Sequence, residues 1–406
     1  TSPIELHPYA IGRMYQIAES NDGALFYSDY QEIRQGKKIH HPTLEYQTGS
    51  IRNDFDFGQL LLFRNDSFQQ VVAQMNTDYR FAALYELRLS ISRLGKIVHI
   101  PETLYTVQPT DLRLSGEKQF DYVDPANREV QLEMEAVCTA HLQAIGAWLA
   151  PEFQRIDFGQ ENFAREASVI IPVRNRKRTI AEAVESALQQ QTDFSFNVIV
   201  VDNHSTDSTG QILTELSRRY PNLIHHIPAS TELGIGGCWT EAILLPECGK
   251  FAIQLDSDDL YKDCHVLQRI VDTFYQENCA MVIGSYQMVD FKLEEIPPGL
   301  IAHREWTPDN GRNNALRING LGAPRAFYTP VLRQIKFPNV SYGEDYATAL
   351  AISRKYPIAR IYDPLYLCRR WEENSDHDLD IQQLNNYNFY KDKIRTLEIQ
   401  ARISGK

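Results

Sequence analysis

Asp256-Ser257-Asp258-Asp259 follows the apolar run Phe251-Ala252-Ile253-Gln254-Leu255, and no other stretch of the chain has a clearer capacity for chemistry. The run reads as a buried strand, so its carboxylates stand at the C-terminal end, where open α/β sheets bind ligands. Carboxylates this close repel one another unless a cation neutralises them, and hard divalent metals prefer oxygen ligands. A metal with few protein ligands leaves positions free for phosphate oxygens. That combination points to nucleotide-dependent chemistry.

Other polar groups fall at the ends of further apolar runs. Ser168–Pro172 is strand-like and delivers Pro172-Val173-Arg174-Asn175-Arg176. Asn197–Val201 ends in Asp202, which opens Asp202-Asn203-His204-Ser205-Thr206-Asp207-Ser208-Thr209. Such a turn serves as a helix cap in many α/β proteins. Placed at a sheet edge, Asp202 is also suited to accept hydrogen bonds from a base or a ribose. Glu344-Asp345 reads either as the acidic start of a helix, favoured by the macrodipole, or as a general base.

The elements that must position these groups follow from periodicity. Thr179-Ile180-Ala181-Glu182 has the capping-box spacing, and Ile180, Val184, Ala187 and Leu188 form one helical face. A second helix is expected from about Ser208 to Tyr220, before the strand-like Leu223–Ile227. Strands alternating with helices imply an α/β domain with a mostly parallel sheet. Upstream, Pro125–Leu149 reads as a helix, with Pro125 to open it and Pro151 beyond its end.

Composition narrows the class. The chain has 406 residues, 43% of them apolar and 11% aromatic, enough for two or three folded domains. A formal net charge of −12 argues against binding to nucleic-acid backbones, which needs a basic face. No apolar run approaches the roughly 20 residues of a membrane span. The six cysteines are scattered without metal-ligand spacing, which predicts a reduced, cytoplasmic setting. The chain opens on Thr1 rather than Met, and the expectation is that an upstream segment has been removed.

An internal repeat bears on domain roles. Ile352–Tyr366 and Ile91–Tyr105 share seven of fifteen positions without gaps, and Asn278–Tyr286 lines up with Asp22–Tyr30. That register sets Thr1 opposite Ser257, so the first copy lacks the counterpart of everything before the acidic cluster. It also sets Ala83-Leu84 opposite Glu344-Asp345. The hydrophobic pattern persists where the carboxylates do not, so packing does not require them. The first copy is therefore expected to be inactive.

In order and spacing, these motifs resemble the family 2 glycosyltransferases of the GT-A fold. The resemblance covers about residues 166–375. It implies a Rossmann-like GT-A catalytic domain at 166–375 and a partial, non-catalytic GT-A-like region at 1–110. A helical linker at 111–165 and a helical tail at 376–406 complete the expected organisation. By resemblance, Pro172, Val173, Arg174 and Asn175 line the nucleotide loop, Asp202 contacts the base, and Asp256, Ser257 and Gly236 complete the nucleotide site. Asp258 and Asp256 are the expected ligands of Mn²⁺ or Mg²⁺, with His377 as a further one. Asp345, beside Glu344, is the expected base. Arg369, Arg370, Trp371 and Trp306 are assigned to the diphosphate or the acceptor.

The implied activity is transfer, with inversion, of a hexosyl or N-acetylhexosaminyl group from a nucleotide-diphosphate sugar. UDP is favoured as the carrier and GDP is the alternative; the acceptor is a saccharide or a lipid-linked hydroxyl, as in polysaccharide biosynthesis. The expected setting is cytoplasmic, at the inner face of the membrane through peripheral association. Two other readings stand beside it: a nucleotidyltransferase that makes a nucleotide sugar, and a non-catalytic nucleotide-sugar-binding protein. The Gly-rich stretch Leu233–Thr240 carries Cys238-Trp239 where the family has a basic residue, which leaves its phosphate contact open. A Rossmann dehydrogenase is disfavoured, because no Gly-x-Gly-x-x-Gly follows the first strand.

Overall fold

The computed structural model describes residues 3–76, 78–108, 127–159, 161–371 and 379–405. The chain forms two compact units. One comprises Thr1–Ala150, Asn313–Asn319 and Asp378–Lys406; the other comprises Pro151–Arg312 and Gly320–His377.

The first unit opens with β1 (Ile4–Leu6), α1 (Ala10–Ser20), β2 (Gly23–Arg34), β3 (Lys37–His41) and β4 (Leu62–Phe63). It continues with α2 (Asn65–Val72), α3 (Ala83–Leu94), β5 (Lys96–Val107) and α4 (Arg128–Ala144). Its sheet runs β1-β5-β2-β3, with β4 also on β2. Alternation along β2 sorts its side chains. Phe26 and Tyr30 join Ala10 and Met14 of α1 on one face, while Leu25 and Tyr27 join Phe55, Leu87 and Ile91 on the other. Beside them lies a paired polar cluster in which His41 bonds Asp56 and Glu32, and His99 bonds Asp29.

The second unit contains β6 (Ala167–Val173), α5 (Ile180–Leu188), β7 (Phe196–Asp202), α6 (Thr209–Arg219), β8 (Leu223–His226) and α7 (Ile235–Leu244). Then come β9 (Phe251–Gln254), β10 (Leu260–Tyr261), α8 (Val266–Glu277), β11 (Met281–Val289) and β12 (Glu295–Ile301). After the short helix α9 (Gly311–Asn314) follow β13 (Arg325–Tyr328), α10 (Thr329–Ile335), α11 (Glu344–Ser353) and β14 (Ile358–Arg369). The sheet order is β10-β14-β11-β13-β9-β6-β7-β8, with β12 on β11. The β9-β6-β7-β8 half is wholly parallel. Val169, Ile170, Ile171, Val198 to Val201 and Ile253 are fully buried there, as strands covered on both faces must be. The other half is mixed: β13 is antiparallel to both neighbours, and β11 and β14 are parallel.

Within the two units the strand pairings coincide. Leu25 pairs with Ile97 as Met281 pairs with Ile358; Asp29 with Thr103 as Ser285 with Pro364; Glu32 with Val107 as Met288 with Cys368. The hairpins agree too, Tyr30 facing His41 as Tyr286 faces Ile301. Phe26 faces Leu62 as Val282 faces Ala326. These pairs keep the register of the sequence repeat. Elsewhere the pairings differ: β1 on β5 sits one residue out of step with β10 on β14, and the far end of the β11–β12 hairpin is shifted at Val289 relative to the pairing of Ile33 with β3.

The helix of the expected linker, α4, packs on α3 and is grouped with the first unit. Its described part ends at Ala144 rather than Leu149, and Pro125 lies outside the described residues. The tail helix is grouped there too. α12 (Ile381–Ile403) belongs to the first unit, because Asp392 is fully buried between Arg395 at 2.8 Å and Arg52 at 3.3 Å, and also accepts from Ser50 at 2.9 Å. A Cβ on Gly49 would lie 2.1 Å from the Asp392 carbonyl oxygen, so only glycine lets that helix approach.

Candidate active site

Three loops of the second unit meet at the carboxyl edge of β6, β7 and β9. Asn175 follows β6 in the left-handed region, φ 55°, which asparagine tolerates better than most residues. Its Oδ1 accepts from the Thr206 N–H at 2.8 Å, and its own N–H donates to Ser205 Oγ at 3.0 Å. Arg176 N–H donates to Thr209 Oγ1 at 2.8 Å. The loops after β6 and β7 are thereby clamped together. Arg174 points to solvent and Pro172 is half-buried. Val173 is buried and contributes its carbonyl, which accepts from the Asn203 N–H at 2.8 Å.

Asp202 is buried at the end of β7. Its Oδ1 accepts from the Ser205 N–H at 2.9 Å and its Oδ2 lies 3.3 Å from His225 Nε2. Burial raises its proton affinity, but His225 and the Ser205 bonds outweigh that and hold its carboxyl below the usual range. It stays an acceptor.

The acidic cluster is ordered by its neighbours. Gln254 donates its amide to both oxygens of Asp256, at 2.9 and 3.0 Å, while the Asp256 N–H donates to Tyr366 Oη at 2.8 Å. Asp258 accepts from the Trp371 indole N–H at 3.0 Å, with Arg176 Nε 3.8 Å from the same oxygen. Asp259 turns inward and accepts from the Arg369 N–H at 2.8 Å. Burial raises the proton affinity of Asp256 despite Arg325, and burial with Asp258 and Asp256 alongside raises that of Asp259 further. Ser257 is buried in the turn.

Arg369 is only 1% exposed, and its guanidinium pairs with Glu182 and donates to the Asp258 carbonyl. In this arrangement it holds the Asp258 backbone. The same contact explains why the capping box at Thr179 does not form: Glu182 is drawn to Arg369, and the Thr179 hydroxyl makes no cap bond. The more exposed basic groups are Arg176 and Arg178, whose guanidinium carbons lie 5.6 and 5.4 Å from the Trp371 ring centroid. Arg178 also lies 4.0 Å from the Phe291 centroid. Arg370 is half-buried and donates its N–H to the Val289 carbonyl at 2.9 Å. His377 lies outside the described residues.

Glu344 and Asp345 begin α11, after Gly343 at φ 77°. The Asp345 side chain is 32% exposed and pairs with Arg325. Arg325 Nε and N–H both donate to Gln254 Oε1, at 3.3 and 3.1 Å. Arg325 was not legible as a site residue, because a single arginine opening the strand Arg-Ala-Phe-Tyr belongs to no motif. Burial, with Asp345 adjacent, pushes the Glu344 carboxyl up to about 8.

The Gly-rich segment has a packing role. A Cβ on Gly236 would lie 2.0 Å from the Pro338 carbonyl oxygen, and one on Gly234 2.6 Å from the Val340 backbone. The Gly234 N–H donates to Asn339 Oδ1 at 2.7 Å, and the Gly236 N–H to the Val340 carbonyl at 2.9 Å. These glycines seat the loop that carries Glu344 and Asp345. Trp306 is 6% exposed and its ring lies against Gly311. The nearby Arg312 is engaged by the Ser353 and Glu152 carbonyls and the Phe153 ring.

Asp256 and Asp258 suit a divalent cation: both supply oxygen donors, and Asp256 gains from neutralisation of the crowded charge. Among the described residues no group of three or more protein ligands stands ready for a metal. Two carboxylates with substrate phosphates completing the sphere is the Mg²⁺ or Mn²⁺ pattern.

The mixed α/β sheet, wholly parallel in one half, is consistent with the GT-A fold. Residues 168–335 match the glycosyl transferase family 2 model. Among relatives, the poly(ribitol-phosphate) beta-glucosyltransferase of Bacillus spizizenii is 25% identical over 230 residues, covering 55% of this chain and 35% of its own. An uncharacterized glycosyltransferase of Nostoc sp. is 32% identical over 123 residues, 30% of this chain and 37% of its own. The chain thus spans little more than a third of the length of these relatives. Among solved structures, Staphylococcus aureus TarS 1–349 in complex with UDP-GlcNAc is 23% identical, with a TM-score of 0.45 over 58% of this chain and 72% of that one.

Proposed function

We propose that the second unit is a metal-dependent inverting glycosyltransferase, with a UDP-sugar favoured over a GDP-sugar as donor. The observation that carries this reading is the convergence of Asp202, Asp256, Asp258 and Asp345 on one sheet edge within a family 2 domain. Asp202 and the loop after β6 receive the nucleoside, and Arg176 and Arg178 stand over the diphosphate side. A divalent cation held by Asp258 and Asp256 supplies charge neutralisation for the leaving diphosphate.

Asp345 is the catalytic base. Its carboxylate takes the proton of the acceptor hydroxyl as that oxygen bonds to the anomeric carbon, while the bond from that carbon to the diphosphate oxygen breaks on the opposite face. Arg325 pairs with the Asp345 carboxylate. Glu344, protonated near neutrality, lowers the negative charge beside it. The acceptor is a saccharide or lipid-linked hydroxyl. The Bacillus spizizenii relative is named for sugar transfer to a ribitol phosphate polymer, which supports a glycan-type acceptor.

The first unit is read as a degenerate partial copy of the same domain. Its matching strand register supports this, and Ala83-Leu84 in place of Glu344-Asp345 leaves it without a base. The peripheral, inner-face location belongs to this proposal; among the described residues no helix is long and apolar enough to cross a membrane.

The test is incubation with Mn²⁺ and a panel of UDP- and GDP-sugars, scoring release of the nucleoside diphosphate. Pyrophosphate release from a nucleoside triphosphate plus a sugar 1-phosphate, with no release from the nucleotide sugars, would favour the nucleotidyltransferase. Binding without release would favour a nucleotide-sugar-binding protein.

A further inference from the structure

Asp345 and Asp256 come from elements far apart in the chain, and one unbroken set of contacts joins them. The Asp345 carboxylate pairs with the Arg325 guanidinium, Arg325 donates twice to Gln254 Oε1, and the Gln254 amide donates to both Asp256 oxygens. Each link uses the polarity its partner requires. An amide accepts from a guanidinium through its oxygen and donates to a carboxylate through its NH2 at once. Antiparallel pairing of β13 with β9, Ala326 against Ile253, brings Arg325 level with Gln254 and so builds the contact into the sheet.

We propose that Arg325 is a positioning residue for sugar transfer: it holds the Asp345 carboxylate toward the acceptor and, through Gln254, at a fixed place relative to the donor aspartate Asp256. This rests on the transferase reading above. The geometry needs the guanidinium fork and not charge alone. An ammonium at this position is a single point donor that cannot span Asp345 and Gln254 with fixed directions. In the first unit Leu61 stands one residue beyond the Phe26–Leu62 pair that matches Val282–Ala326, and Ala83-Leu84 stands where Glu344-Asp345 does, so neither the arginine nor the acidic pair has a counterpart there.

The experiment compares wild type, Arg325→Lys and Arg325→Ala in UDP–Mn²⁺ calorimetry and in steady-state transfer. Both variants should bind UDP–Mn²⁺ as wild type does, with donor KM unchanged and kcat lower by about 100-fold, the scale of loss for a misplaced catalytic group. Added guanidinium ion should restore turnover of Arg325→Ala, and ammonium should not. Wild-type kcat in Arg325→Lys overturns the proposal, as does failure of guanidinium to rescue a folded Arg325→Ala. If Arg325→Ala does not fold, Arg325→Lys carries the test by the same KM and kcat comparison. A wild-type protein that binds UDP–Mn²⁺ yet transfers no sugar overturns the transferase reading instead, and this proposal with it.

Discussion

Trp371 donates its indole N–H to the Asp258 carboxylate at 3.0 Å, and so fixes the direction of the group expected to meet the metal. A hydrogen bond to one carboxylate oxygen sets the direction of the group, the arrangement by which neighbouring groups orient metal ligands. Asp258→Ala should abolish Mn²⁺-dependent binding of UDP, measured by calorimetry with and without EDTA. Trp371→Phe keeps the ring but loses the N–H, and should weaken that binding by roughly tenfold. Equal binding by both variants and wild type would remove Asp258 from the metal site.

Glu344 predicts a pH dependence of stability. Its carboxyl titrates near 8 in the folded protein against an ordinary 4.5, so the folded state holds the proton over that interval and the unfolded state does not. Stability from this group therefore falls as pH rises from about 4.5 to about 8, and the full loss is present above. Glu344→Gln should flatten that part of a urea-midpoint against pH curve. An unchanged slope would show that Glu344 ionises normally.

Gly236 predicts a local steric effect. An added methyl meets the Pro338 carbonyl oxygen, which is backbone and cannot swing aside. Gly236→Ala should destabilise the protein by about 1–3 kcal/mol, as overpacking does. Because the displaced loop leads into Glu344 and Asp345, kcat should fall more than UDP affinity. Loss of UDP affinity with kcat intact would instead place Gly236 at the nucleotide site.

The buried strands were legible because continuous β-branched runs such as Val169–Ile171 and Val198–Val201 have no other stable setting. Aspartates at the ends of such runs were legible for the same reason, since position along a strand gives position at the sheet edge. What failed to show were polar contacts between distant segments. Thr179 and Glu182 have capping-box spacing, yet Glu182 answers to Arg369, 187 positions away. Arg325 lacks any motif, and only strand pairing sets it beside Gln254. Around Trp306, assigned above to the diphosphate or the acceptor, Arg312 and Asn313 engage backbone carbonyls and the tryptophan and Arg312 pack against Gly311 and Phe153, contacts that residue spacing does not reveal.

Asp345→Asn is the most direct test of the central claim. The substitution keeps the size of the side chain and removes its ability to take a proton. With Mn²⁺ and whichever donor the wild type consumes, the variant should bind UDP as tightly as wild type and show transfer reduced by about 100-fold or more, the general-base contribution. Full turnover by Asp345→Asn would contradict the account.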